Sequence, residues 1–310
     1  MPPLLLIVGS LNADLVVRVD RFPTPGETLR GRWFQVFAGG KGGNQAAAAA
    51  RLGGQVAMVG QVGGDAQGAW LRTSLEQAGV DARRVGTDDS VSSGVALITT
   101  DAGGQNEIVV VAGANGTFTP DRLAAALPLL RQAAVTLVQL EIPIATVERA
   151  AVEVRAAGGA LVLDPAPAAD VPDQLLALAT LVTPNESELA ALSGISLEAT
   201  FSDEAIDDCA SRLLARGATA VLVKLGARGA RLVTASRRQS WPAHAVRVVD
   251  TTAAGDAFNG ALAVALSERA ELDDAIRFAC AAGALSVTRA GAQTSMPTRD
   301  EVEQLLARSP

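Results

Sequence analysis

Val135-Thr-Leu-Val-Gln-Leu140, Ala160-Leu-Val-Leu163, Leu181-Val-Thr183 and Ala220-Val-Leu-Val-Lys-Leu225 are short, branched, apolar runs, and their spacing decides the fold. Helix-compatible stretches separate them: Thr146–Ala157, Gln174–Ala179 and Asp203–Arg216. Strands alternating with helices build a parallel sheet covered on both faces, so the predicted class is α/β. Such sheets bind ligands beyond the carboxyl ends of their strands. Polar residues just after these runs are therefore the first places to look for chemistry.

Working outward, Leu4–Val8 reads as a buried first strand that stops at Gly9-Ser10. Val56–Val59 reads as another strand, Asp65–Ala78 as a helix, and a further helix is predicted from about Asn44 to Leu52. Asp14–Val19 ends before the turn signal Phe22-Pro-Thr-Pro-Gly26, and Thr28–Phe37 reads as one or two exposed strands. Ser93–Thr100 and Glu107–Val111, joined by Asp101-Ala-Gly-Gly-Gln105, form a hairpin signature. These outer strands, at about 14–37 and 93–112, predict a small sheet inserted in one domain spanning 1–310. Toward the C-terminus Ser240–Val249 is strand-like, and a strand is expected to end at Asp250.

The bulk properties narrow the function. The 310 residues are 49% hydrophobic and 19% charged, which suits a packed globular chain. A net charge of -7 without a Lys/Arg run speaks against nucleic acid as a partner. No uninterrupted apolar run reaches membrane length, and the N-terminal run lacks a basic flank, so a cytoplasmic, non-membrane protein is expected. Cys209 and Cys280 are far apart and read as reduced thiols. His244 is the only histidine and tyrosine is absent, which removes most histidine-based catalysis and metal binding.

Two segments carry chemistry. In Val248-Val-Asp-Thr-Thr-Ala-Ala-Gly-Asp-Ala-Phe-Asn-Gly260, small residues at 253–255 precede a helix that starts near Gly255. A helix start with little side-chain cover favours an anion, and Asp256 in its first turn could take a proton from an attacking hydroxyl. An ordinary strand–turn–helix with an N-terminal Asp fits the same residues. The second segment is Ala38-Gly-Gly-Lys-Gly-Gly-Asn-Gln45, which matches neither a Walker A loop nor a dinucleotide fingerprint. Its amide and ammonium donors suit a polyhydroxylated ligand, and a glycine loop capping a helix fits it too. Asn12, Asp14, Glu141, Asn185, Glu188 and the run Lys224-Leu-Gly-Ala-Arg-Gly229 all follow predicted strands, which favours one shared cleft.

Taken together, these motifs resemble the ribokinase family, also called the PfkB carbohydrate kinases. Gly9-Ser-Leu-Asn-Ala-Asp14, Phe22-Pro-Thr-Pro-Gly-Glu-Thr28, Gly39-Gly-Lys-Gly-Gly-Asn44, Asp164-Pro-Ala-Pro167, Thr183-Pro-Asn-Glu186, Asp250 to Gly260 and Val287-Thr-Arg-Ala-Gly-Ala-Gln293 occur in the family's order. The resemblance implies a Rossmann-like three-layer α/β/α domain with a small β-sheet lid, and a homodimer paired through that lid. It implies ATP-dependent phosphorylation of a small sugar, D-ribose at O5, with Mg²⁺ and an activating K⁺. Ala253-Ala254 before Gly255, with Asn12-Ala-Asp14, favours ribose over fructose. Other small sugars or nucleosides, a non-catalytic sugar-binding regulator and a nicotinamide-dependent oxidoreductase are the rival readings.

By match, Asn12, Asp14, Gly40, Lys41, Gly42, Gly43, Asn44 and Glu141 hold the sugar, Asp256 is the base, and the amides of Ala253, Ala254 and Gly255 form the anion hole. Asn185, Lys224, Leu225, Gly226, Ala227, Arg228, Gly229 and Cys280, together with Gly255 and Asp256, line the nucleotide site. Glu188 helps place Mg²⁺ through water. The K⁺ ligands are Asp250 and Ser295 with the carbonyls of Thr252, Ser286, Arg289 and Gly291. Lys224 stands where the family often carries Thr, and Cys280 where it often carries His or Asn.

Overall fold

The computed structural model describes residues 3–195 and 202–308. Its strands are β1 (Leu4–Val8), β2 (Asn12–Arg18), β3 (Trp33–Gly39), β4 (Gln55–Gly63), β5 (Asp81–Asp88), β6 (Gly94–Thr100) and β7 (Asn106–Val111). They continue as β8 (Val135–Val138), β9 (Ala160–Leu163), β10 (Leu181–Val182), β11 (Ala220–Lys224), β12 (Ala230–Thr234) and β13 (Arg238–Trp241). The helices are α1 (Lys41–Arg51), α2 (Ala66–Gln77), α3 (Pro120–Leu123), α4 (Leu127–Gln132), α5 (Ile144–Ala156) and α6 (Asp173–Leu178). They continue as α7 (Glu186–Ser193), α8 (Asp203–Ala215), α9 (Ala254–Ser267), α10 (Leu272–Ser286) and α11 (Arg299–Arg308).

The main sheet runs β13-β12-β11-β10-β9-β8-β1-β4-β5. From β11 to β5 all neighbours are parallel, and β12 and β13 extend that edge as an antiparallel meander. Side chains alternate between its faces, as a pleated strand requires. Leu5 and Ile7 of β1, Val162 of β9 and Leu222 of β11 join the cluster under α1, α9 and α10. Leu6 and Val8, Leu161 and Leu163, and Val221 and Val223 join the cluster under α5, α7 and α8. Double-sided cover explains why these strands read as continuous apolar runs. β1 pairs with β8 on one side and β4 on the other, so the chain's direction of winding changes there. That is where a doubly wound sheet opens a crevice.

The second sheet, β3-β2-β6-β7, is four-stranded. It carries exposed apolar side chains: Trp33, Phe34, Leu97 and the whole of Ile108–Val111. The mixed α/β fold with a large, mostly parallel sheet and a smaller one is the predicted class.

Three local expectations are corrected. α1 starts at Lys41 rather than near Asn44. Its glycines form the first helical turn packed on the β1–β2 turn, where a Cβ at Gly42 would lie 2.7 Å from Ser10 N. β3 begins at Trp33, not Thr28. No strand runs to Asp250: β13 ends at Trp241 because Pro242 has no N–H to give a ladder. The chain from 242 to 250 is irregular, and the amides of Val249 and Asp250 turn to the Val287 carbonyl after α10. His244 therefore lies in this irregular segment.

Candidate active site

The site lies at the carboxyl ends of β1, β8, β9, β10 and β11, closed by the first turns of α1 and α9. Asp256 is its centre. It is buried in the first turn of α9. Its Oδ2 accepts from Asn44 Nδ2 and its Oδ1 from Gln45 Nε2, each at 3.0 Å. Burial pushes its carboxyl up to about 6; Asp164 adds to the rise, while Lys41, Asn44 and Gln45 oppose it. α9 is entered through Ala253 in the left-handed region, at φ 59°, a conformation that non-glycine residues seldom adopt. The amides of a helix's first turn have no partner inside the helix; that of Ala254 donates to the Thr251 carbonyl at 3.3 Å, and those at 255 and 256 are placed to meet an anion.

The α1 side brings the other polar groups. Gly40, at φ 81°, precedes the helix, and a Cβ there would lie 2.7 Å from Asn12 N. Only glycine allows this approach. The Lys41 amide, at the helix start, donates to Glu141 Oε2 at 2.9 Å, and Ser10 Oγ donates to the same oxygen at 2.5 Å. Burial works against the Lys41 charge, but Asp256, Asp164, Glu141 and Glu188 outweigh it and hold the ammonium above its ordinary range. Asp14 is pushed up to about 7 by burial, with Glu141 and Asp256 adding to the rise. Asn44 Oδ1 is buried with no partner among the described residues. Asn12 is differently employed: its Oδ1 accepts from Asn115 Nδ2 at 2.8 Å, and Asn115 also clamps both backbone groups of Leu11. The structure thus brings Asp14, Lys41, Asn44, Glu141 and Asp256 into mutual electrostatic or hydrogen-bonding reach, with Asn12 behind them.

Across the cleft, Asn185 and Glu188 form a capping box at the start of α7. Glu188 Oε2 accepts from the Asn185 amide at 2.8 Å and Oε1 from its side chain at 3.0 Å. Burial raises the Glu188 carboxyl and Asp164 adds to this, while Lys224, the Asn185 amide and Lys41 oppose it. Asn185 also forms a bridge to Lys224 at the end of β11. Leu225 to Gly229 make the tight β11–β12 turn, with the Leu225 amide bonded to the Gly229 carbonyl. Cys280, on α10, is buried in the core cluster, and burial pushes its thiol up to about 12.

The 250–295 loops converge too. Asp250 Oδ2 accepts from the Gly291 amide at 2.9 Å, and Oδ1 from the Thr252 hydroxyl at 2.6 Å and amide at 2.9 Å. Against the effect of burial, these donors hold its carboxyl below the ordinary range. Ser286 and Ser295 are buried nearby in sequence, each hydroxyl bonded to a carbonyl three residues back. The Arg289 side chain pairs with Glu301, and its amide meets the Ser286 carbonyl at 3.5 Å. An ionised carboxylate with carbonyl and hydroxyl oxygens is a hard donor set, and it fits a hard cation such as K⁺. Glu188 and Asn185 are likewise oxygen donors of the kind that Mg²⁺ takes through water.

Four residues of the network were given no individual role from sequence: Ser10, Gln45 and Asp164, which stand inside quoted motifs, and Gln139. Asp164 directly follows the β9 run, so the strand-end rule that found Glu141 would have found it. Gln139 breaks an apolar run, which is a signal. Gln45 carries none, because a polar residue in the first turns of a helix is common.

Five carboxylates, those of Asp14, Glu141, Asp164, Glu188 and Asp256, and the two ammonium groups of Lys41 and Lys224 converge beside the start of α9, with amide and hydroxyl donors among them. This is the chemistry of a kinase that phosphorylates a small polyhydroxylated molecule. The pfkB family carbohydrate kinase profile matches residues 3–299. The ribokinase of Bacillus subtilis is 41% identical over 301 residues, covering 97% of this chain and 98% of that one. The ribokinase of Haemophilus influenzae is 39% identical over 302 residues with the same coverage. The structure of Arabidopsis thaliana ribokinase complexed with ribose and ATP superposes with a TM-score of 0.93 at 37% identity, covering 100% of both chains. The chain belongs to the pfkB family of carbohydrate kinases.

Proposed function

We propose that this chain transfers the γ-phosphoryl group of ATP to the 5-hydroxyl of D-ribose, giving D-ribose 5-phosphate and ADP. The observation that carries the proposal is Asp256: a buried carboxylate at a helix start, held by Asn44 and Gln45, with its pKa raised toward the working range of a base. The full-length similarity to ribokinases supports ribose as the sugar.

In this mechanism Asp14, Lys41, Asn44 and Glu141 bind the sugar hydroxyls, and the backbone of Gly40, Gly42 and Gly43 lets the sugar approach. Asp256 takes the O5 proton as O5 attacks the γ-phosphorus. The amides of Ala253, Ala254 and Gly255 face the charge that spreads over the phosphoryl oxygens. Asn185 and the Lys224–Gly229 turn line the nucleotide, with Cys280 behind. Carboxylates outnumber ammonium groups in the cleft, so ATP phosphates need cations to enter it. Glu188 would hold Mg²⁺ through water, and Asp250, Ser295 and the carbonyls of Thr252, Ser286, Arg289 and Gly291 would hold K⁺. These ions would supply charge neutralisation at the phosphates and order to the loop at 250–256.

The apolar outer face of the second sheet supports its role as a lid over the sugar, paired with the lid of a second copy in a homodimer. Among the described residues no helix is long and apolar enough to cross a membrane. A cytoplasmic location is part of the proposal. The test is ADP release with MgATP and a panel of D-ribose, 2-deoxyribose, fructose and adenosine, with and without K⁺. Turnover highest on ribose and raised by K⁺ is expected. Highest turnover on another sugar would transfer the specificity, and none on any would favour a binding protein on the same fold.

A further inference from the structure

Behind Asp256 a chain of buried polar groups crosses to the nucleotide side of the cleft. Gln45 Nε2 donates at once to Asp256 Oδ1 at 3.0 Å and to Asp164 Oδ2 at 2.8 Å. The Gln45 carbonyl oxygen accepts from Gln139 Nε2, so both ends of the amide are fixed. The other oxygen of Asp164 accepts from Lys224 Nζ at 2.7 Å. The pair is nearly dry, with 2% of the Asp164 side chain and 12% of the Lys224 side chain exposed. The ammonium also stands against α9: a Cβ at Gly255 would lie only 3.5 Å from Nζ.

A buried ion pair is a weak source of stability, because desolvation offsets most of its attraction. Its position is more informative. The cation sits beside the amides proposed to receive the phosphoryl group, and its counter-ion is one amide away from the proposed base. We infer that Lys224 is a catalytic residue that shares its ammonium between Asp164 and the phosphoryl group in flight, and that Asp164 and Gln45 are positioning residues that tie it to Asp256. The inference rests on the reading of Asp256 as base. During transfer the O5–phosphorus bond forms as the bond to the β–γ bridging oxygen breaks, and the O5 proton passes to Asp256. Lys224 keeps its protons throughout and faces charge on the equatorial oxygens.

The test is a double-mutant cycle on the full chain with MgATP and ribose: wild type, Lys224→Met, Asp164→Asn and the double variant, with ribose affinity by calorimetry. Lys224→Met is expected to lower kcat about 100-fold, the scale for one electrostatic contact to a transition state, with ribose affinity within about threefold. Asp164→Asn is expected to cost about tenfold. The double variant is expected to recover several-fold over Lys224→Met, because that single variant leaves a buried carboxylate facing the phosphoryl group. Lys224→Arg, which keeps the charge, should retain more kcat than Lys224→Met. A double variant whose loss is the product of the two single losses would overturn the inference. So would a Lys224→Met protein with kcat intact and only KM for ATP raised, or equal losses in Met and Arg. A wild type without sugar turnover would remove both this inference and the kinase mechanism beneath it, whereas an active wild type with multiplicative losses removes this inference alone.

Discussion

Replacing Asp256 by Asn is expected to nearly abolish turnover while making the resting protein more resistant to unfolding at high pH than at low pH, relative to the parent. The carboxyl rises from an ordinary 3.8 to about 6 in the fold. At roughly 1.4 kcal/mol per pH unit, this is about 3 kcal/mol of differential stability. The sign follows from the direction. A group whose folded pKa is raised stabilises fully below its unfolded pKa and loses that contribution as pH rises through the folded value. At pH 8 the ionised carboxylate therefore weakens the fold by about 3 kcal/mol relative to its neutral form. The amide variant is neutral at every pH, so it escapes that cost. It offers only one oxygen to the two donors Asn44 Nδ2 and Gln45 Nε2, and the donor left over costs about 1–3 kcal/mol. The net change at pH 8 is thus about 0–2 kcal/mol in favour of the variant, and near pH 4 the variant is the weaker protein. Urea melts of both proteins from pH 4.5 to 8 measure the difference, alongside ADP release and ribose calorimetry. kcat should fall on the order of 10²–10⁴-fold with ribose affinity largely kept. A stability difference that does not change with pH, or a lost ribose affinity, would refute the placement of Asp256 as a desolvated base.

With Asp14 replaced by Asn, kcat/KM should fall about tenfold per pH unit below about 6 as Asp256 becomes protonated. Asp14, at about 7, should add a second inflection that disappears in Asp14→Asn; a profile flat from pH 5 to 8 would contradict both. Asp250→Ala should weaken K⁺ activation, because it removes the ionised oxygen on which Gly291 and Thr252 converge, and an unchanged K⁺ response would remove the cation assignment. Ile108→Glu combined with Val110→Lys should give a monomer by light scattering if the exposed face of β7 pairs with a second copy; a monomeric parent would remove the dimer.

Much of this architecture was legible in the sequence. β9 has the predicted bounds, and the β6–β7 hairpin lies within a residue of them. Both are plain signals: a double-covered strand is a pure apolar run, and a hairpin declares its turn. β5 was missed because its register on β4 shifts between Ala57 and Val59. That irregularity breaks the two-residue alternation, leaving Asp81–Asp88 with buried side chains about three residues apart. The segment after Trp241 was misread because Val246, Val248 and Val249 look like strand residues, while Pro242 and the pull of Val287 on the backbone are not visible in composition. The proposed base, the anion-hole residues and the sugar-side donors were named from sequence because they stand at strand ends or in a glycine-rich helix start. The relay of Gln45, Asp164 and Gln139 was not, because its meaning lies in which oxygen each amide meets.

Phosphorus-31 and carbon-13 spectra of the product formed from D-ribose, MgATP and K⁺ test the central claim most directly. The account predicts a single phosphomonoester on carbon 5, formed with one ADP per sugar and formed on the order of 10²–10⁴-fold more slowly with Asp256→Asn. A phosphate on carbon 1, or ADP released without a phosphorylated sugar, would contradict it.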